Sequence, residues 1–185
     1  MSDDFKIELT SGDELTDEQK DILMALSIAE YPPYEKYYRV NKYYSVIKPQ
    51  IIGLILRNDE IVGDGKLLWQ NVELPDRHIK LFGFGLTIRK EYQGKGLGTE
   101  LIKQFMHKAE ELGADILYAT SDSPVIDHIL NKFGFSKLTM PVEYTHALSG
   151  EREREEKTAY VYLYNKDILA SLEKLSVFYL GQGPI

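Results

Sequence analysis

The sequence predicts a mixed α/β domain in which a twisted, largely antiparallel sheet is flanked by helices, and three observations lead there. Two apolar stretches, IIGLILRNDEIVGDGKLLWQNVEL and HIKLFGFGLTI, are broken by polar turns at 57–60 and 75–77, as in an antiparallel meander. Beyond them the pattern changes to a helix over about 98–111 and a short buried strand, ADILYAT. A strand, a crossover helix and a strand make a local parallel pair, because parallel neighbours need a long connection. Ahead of the sheet, apolar residues recur at helical spacing.

Taken in order, TDEQKDILMALSIAEY reads as a first helix after a polar start, with Thr16 as its N-cap and Glu18 and Asp21 in its first turns. Pro32 and Pro33 interrupt it, and YEKYYRVNKYYSVI places Tyr34, Tyr37 and Tyr38 at three- and four-residue intervals, as in a second short helix. After the meander, the helix over 98–111 ends at Gly113, and SPVIDHILNKF forms another that ends at Gly134. FSKLTMPVEYTH and TAYVYLYNKD read as two more strands. The charged EREREEK between them reads as a solvated loop.

The 185 residues fit a single domain, 1–185, with an acceptor-side helical region near 16–48 and a C-terminal extension near 166–185. That extension contains SVFYLGQGPI, apolar and without a charged side chain, so it is expected to pack back on the domain or on a partner subunit in a homodimer. No apolar run is long enough to cross a bilayer and MSDDFKIELT carries no leader pattern, which makes a cytoplasmic protein the expectation. The absence of cysteine removes disulfides, thiolate nucleophiles and cysteine metal sites. A net charge of -7 disfavours nucleic acid and suits a cationic partner or plain solubility.

EYQGKGLGTEL carries the most specific signal. Gly94, Gly96 and Gly98 lie between a strand and a helix, where exposed backbone N–H groups and the helix N-terminus can hold a phosphate. No Ser or Thr follows a Gly-Lys pair at nucleotide-triphosphatase spacing, and the third glycine of the dinucleotide fingerprint is missing.

Gln93, Gly96 and Gly98 match the Gln/Arg-x-x-Gly-x-Gly/Ala motif, and HILNKFGF resembles a helix ending usually written Leu-Tyr-Glu-Lys-Leu-Gly-Phe. Over about residues 50–165 the chain therefore resembles the GCN5-related N-acetyltransferase (GNAT) family. The resemblance implies the GNAT fold and an enzyme that carries an acetyl group from acetyl-CoA to a primary amine of a small molecule or peptide; charge, the lack of a spanning run and the histidine spacing argue against nucleic acid, membrane and metal. By the same resemblance the backbone of Gln93, Gly94, Lys95, Gly96, Leu97, Gly98 and Thr99 holds the coenzyme pyrophosphate, and Leu86, Thr87 and Ile88 pair with the pantetheine arm. More loosely, the layout is similar to the aminoglycoside 2'-N-acetyltransferases and the NodA-type acyltransferases.

The chain departs from the family at the catalytic positions. Leu130 stands where the thiolate-protonating Tyr is usual, and Phe84 lies near the place of a strand Glu that serves as base in some members. A water-relayed reaction, residues recruited from elsewhere, or a coenzyme-binding domain with little catalytic activity would each accommodate this; a longer-chain acyltransferase is a separate alternative. The replacement candidates are Asp122 as proton acceptor, otherwise a turn or cap residue, and Tyr118 as proton donor, otherwise a packing residue. His78, His107, His128 and His146 show no metal-ligand spacing and read as surface or structural residues. Tyr31, Tyr34, Tyr37, Tyr38, Tyr43 and Tyr44 are either an acceptor-site wall or helix packing, and Tyr160, Tyr162 and Tyr164 give one strand an aromatic face.

Overall fold

The computed structural model of the chain describes residues 4–40, 42 and 48–183. Tyr43 and Tyr44, and the end of the tyrosine-rich segment with them, lie outside the described residues. The polar start is not a loop. Phe5–Ser11 forms strand β1, pairing antiparallel with β2 (Ile51–Arg57) from Phe5 opposite Arg57 to Ser11 opposite Ile51. Helix α1 (Asp17–Glu30) starts at Thr16, whose hydroxyl accepts from the Gln19 amide at 3.1 Å while the Gln19 side chain accepts from the Thr16 amide at 2.9 Å. This reciprocal cap, with Gln19 rather than the acidic residues as partner, stabilises the helix by about 1 kcal/mol. Helix α2 (Glu35–Val40) follows a single 3-10 turn at the two prolines.

Strands β3 (Glu60–Glu73) and β4 (His78–Ile88) complete the meander, the first turn made by Asn58 and Asp59 at positive φ. Helix α3 (Leu97–Glu111) crosses to β5 (Ile116–Ser121), parallel to β4, and helix α4 (Pro124–Lys132) follows. FSKLTMPVEYTH is divided at Pro141 into β6 (Ser136–Lys137) and β7 (Val142–His146), which join different sheets. Part of the charged loop forms a short strand, β8 (Arg152–Arg154), because β7 offers it an edge. Strand β9 (Thr158–Leu163), the short helix α5 (Leu169–Leu172) and β10 (Phe178–Gly183) end the described chain. The apolar extension packs back on the domain: β10 pairs parallel with β7, Phe178 and Leu180 are buried, and the Gln70 side chain donates to the carbonyls of Leu180 and Gln182.

The large sheet runs β1-β2-β3-β4-β5-β9-β6 and the small one β10-β7-β8. Helices α3 and α4 cover one face of the large sheet through Leu101, Phe105, Leu130, Phe84 and Phe135. Gly65 lets α3 approach, since a Cβ there would stand 2.7 Å from the Phe105 ring. Tyr160, Tyr162 and Tyr164 belong to this core, and the Tyr164 hydroxyl donates to the Met106 carbonyl at 2.6 Å. The opposite face carries two separate apolar patches. One lies under α1, with Leu23, Leu26, Ile52 and Leu54; the other lies under the small sheet, with Leu81, Tyr118, Val142 and Phe178.

Candidate functional site

The gap between β4 and β5 organises the site. Their parallel pairing runs only from Leu81 opposite Ile116 to Gly83 opposite Tyr118, although β4 continues to Ile88 and β5 to Ser121. Beyond Gly83 no described strand pairs with the facing edge of β4. Direction along that edge follows from the alternation of a strand. Leu67 is bonded through its carbonyl toward the β2 side, by the Gln50 amide at 3.0 Å, so Asp64 and Lys66 turn their backbone groups to β4, where Thr87 and Gly85 are their partners. Phe84, Leu86 and Ile88 then face the gap. Two of their carbonyls are occupied by side chains: the Tyr31 hydroxyl donates to Leu86 at 3.2 Å and the Gln93 amide to Ile88 at 2.8 Å.

At the wide end of the gap lies the glycine loop. Gly94 and Gly96 have φ of 74° and 80°, and a Cβ on either would meet nothing within 4 Å. Gly96 is the N-cap of α3, and the first intrahelical bond runs from the Glu100 amide to its carbonyl at 3.0 Å. The amides of Leu97, Gly98 and Thr99 precede that bond and have no turn before them, which is the arrangement that receives an anion. Gln93, Gly94 and Lys95 are exposed beside them.

Across the sheet, on the face toward α1, a polar cluster fills the space between the two apolar patches. Asp64 is only 1% exposed. The Lys66 ammonium lies 3.0 Å from its Oδ2 and donates to the Ser27 hydroxyl at 3.2 Å, yet neither carboxylate oxygen accepts an aligned hydrogen bond. Burial raises the Asp64 carboxyl above its ordinary value, and Lys66 partly offsets that. Tyr31 and Tyr38 are raised by burial and also feel the Asp64 charge. Gly85, the cross-strand partner of Lys66, is exposed and has open space where a side chain would stand. The Tyr37 ring lies 5.2 Å from that of His146 on β7, tilted by 58°, so α2 and the small sheet are in contact on this face.

Of the catalytic candidates from the sequence, Tyr118 lies beside the gap and Asp122 lies at its far end. Tyr118 is the last β5 residue paired with β4; its hydroxyl is buried without a partner, and burial pushes it up, so it stays protonated at neutral pH. Asp122 is exposed between β5 and the Ser123 N-cap of α4. Leu130 is fully buried in the α3–α4 core and Phe84 packs its ring against Phe105 and Phe135. His146 accepts from the Leu148 and Ser149 amides, and His107 lies 3.1 Å from Glu111. Sequence reasoning missed Asp64. Its signal was the alternation of Asp64 and Lys66 inside the otherwise apolar IVGDGKLLW, which puts two charges on one buried strand face.

Comparison with known proteins agrees with this architecture. The 1.55 Å crystal structure of the GNAT family N-acetyltransferase YhbS from Escherichia coli, in complex with CoA, matches with a TM-score of 0.62 at 13% identity, over 97% of this chain and 89% of that one. YncA from Salmonella typhimurium, solved with its cofactor acetyl-CoA, matches with a TM-score of 0.55 at 13% identity, over 89% of this chain and 96% of that one. A GCN5-related N-acetyltransferase from Kribbella flavida matches with a TM-score of 0.53 at 16% identity over 72% of this chain, which spans only 34% of that longer protein. No curated protein sequence matches the chain. The sequence profile of the acetyltransferase (GNAT) family matches residues 15–135, from the N-terminal edge of α1 through the end of α4. With that profile covering most of its length, this chain belongs to the GNAT family of acetyltransferases.

Proposed function

We propose that this protein transfers an acetyl group from acetyl-CoA to a primary amine of a small-molecule or peptide acceptor. The observation that carries the reading is the end of β4–β5 pairing at Gly83 and Tyr118, with the glycine loop at the mouth of the resulting gap. Leu86 and Ile88 turn their backbone amides to an arm laid along the gap as if it were another strand, their carbonyls already accepting from Tyr31 and Gln93. Thr87 turns toward Asp64 on β3 instead, so it lines the other face. Residues 93–99 receive the pyrophosphate through backbone N–H groups, and no side chain has to move aside at Gly94 or Gly96.

The thioester then points through the sheet toward the cleft beneath α1 and α2. Holding acetyl donor and amine on opposite sides of one opening supplies most of the rate; oriented reactants gain on the order of 7 to 11 kcal/mol. Tyr118, protonated and beside the gap, is the donor to the departing sulfur. Asp122 is the alternative site for a relayed proton. A second reading, an acyl-CoA-binding regulatory domain, draws on Leu130 and Phe84 being committed to the core.

Calorimetric titration with coenzyme A and acetyl-CoA, together with thiol release in the presence of polyamines, aminoglycosides and lysine peptides, separates these. Binding with amine-dependent release supports the transferase, binding with none across the panel supports the regulatory domain, and absence of binding overturns both.

A further inference from the structure

Asp64 is a buried carboxylate whose one close counter-charge is the Lys66 ammonium, 3.0 Å away. Its carboxylate is buried on the face of the sheet under α1, and both oxygens lack an aligned donor. A buried carboxylate in that condition is costly unless something completes it. Among the described residues Lys66 from its own strand is in contact with it, and Tyr31 from the end of α1 and Tyr38 from α2 lie near enough to feel its charge. Its cross-strand partners, Leu54 and Thr87, carry no charge. What lies nearest is a primary ammonium, that of Lys66, tethered by a flexible four-carbon stem and shared with the Ser27 hydroxyl.

Three features connect this carboxylate to the reaction. The space over Gly85 is open, and Gly85 is the strand partner of Lys66. The Tyr31 hydroxyl, which feels the Asp64 charge, rests on the Leu86 carbonyl at the edge of the gap. The cluster also lies on the sheet face opposite α3, where an acceptor meets a thioester arriving from the glycine-loop side.

We propose that Asp64 receives a proton from the acceptor's primary ammonium, and that the Lys66 ammonium occupies the acceptor's place until an acceptor displaces it. The inference rests on the acetyl-transfer reading. One ammonium proton passes to a carboxylate oxygen of Asp64, and the freed nitrogen lone pair forms the C–N bond to the thioester carbonyl carbon. The C–S bond then breaks, the Tyr118 hydroxyl gives its proton to the departing sulfur and regains one from the nitrogen, and the third proton remains in the amide. Asp64 returns its proton to water.

The experiment uses Lys66→Met, in which the resident ammonium is gone, with n-butylamine as the probe of a bare primary ammonium. The Asp64 carboxyl is followed by carbon NMR of aspartate-labelled protein and identified by its disappearance in Asp64→Asn/Lys66→Met. The expected result is a saturable change in the Asp64 resonance, with its titration midpoint lowered by about one pH unit or more as an ammonium settles beside it. A resonance that n-butylamine leaves unmoved overturns the proposal. If Lys66→Met does not fold, Lys66→Gln takes its place with the same two outcomes. Running the titration with and without coenzyme A, and measuring coenzyme A affinity by calorimetry, keeps the two readings apart: loss of coenzyme binding would sink the transferase while the Asp64 response still reads the amine site.

Discussion

The two faces of the large sheet meet at one gap, yet they are built from different materials. On the α3 side the groups offered are backbone: amides at the start of a helix, amides along a strand edge that no described strand pairs, and glycines that keep the helix amides open. These come from one continuous stretch, 86–99. On the α1 side the groups are side chains, Ser27, Tyr31, Tyr38, Asp64, Lys66 and Tyr118, drawn from four separate elements and the end of α1. A coenzyme is the same molecule for every relative of the fold, and backbone suffices to hold its amides and phosphates. An acceptor is particular to each protein and has to be read by side chains.

This contrast breaks if changes on one face act like changes on the other. The largest effect is expected from Lys66→Met, which leaves Asp64 buried without its cation and should destabilise the protein by about 3–5 kcal/mol near neutral pH. Denaturant titration across pH sharpens the point through its sign. Burial raises the folded-state pKa of Asp64, so the folded state binds more protons there than the unfolded one. Its contribution is most favourable below the ordinary carboxylate value and is lost as pH rises through the raised value. The variant, lacking the opposing cation, should therefore lose more stability on going from acid to neutral pH than the wild type does. A penalty independent of pH would mean that Asp64 is not the group responsible.

Next in size, Gly96→Glu puts a carboxylate at a positive-φ position on the α3 N-cap, and coenzyme A affinity should fall by about 100-fold or more, roughly 2.7 kcal/mol. Calorimetry on the folded variant decides it, and unchanged affinity would remove the pyrophosphate from this loop. Tyr118→Phe is expected to lower turnover by about 100-fold while shifting stability by less than about 1 kcal/mol, because its hydroxyl has no partner to lose. Intact turnover would return Tyr118 to a packing role. The smallest change is Thr16→Ala, which removes the α1 cap: a loss of about 1 kcal/mol in thermal or chemical unfolding, with coenzyme A affinity unaltered. Weaker coenzyme binding in that variant would show that the two faces are coupled.

By itself the sequence determined the parts whose signal is local. The β2–β3–β4 meander, the parallel β4–β5 pair and the glycine loop at the head of α3 follow from spacing, turn residues and composition within each segment, whereas for the tail the choice between the domain and a partner is decided only by the pairing of β10 with β7. Tertiary structure decided the rest. Strand β1 exists because β2 has a free edge to pair, FSKLTMPVEYTH divides because Pro141 cannot continue a ladder, and Arg152–Arg154 becomes a strand only because β7 lies beside it. The partners that gather around Asp64 were illegible for the same reason. Nothing near Asp64 in the chain announces Ser27 or Tyr38, and its burial depends on α1 lying across β3, a contact between residues some forty positions apart. Backbone conformation is written in short windows, whereas the environment of a charge is set by whatever the fold brings over it.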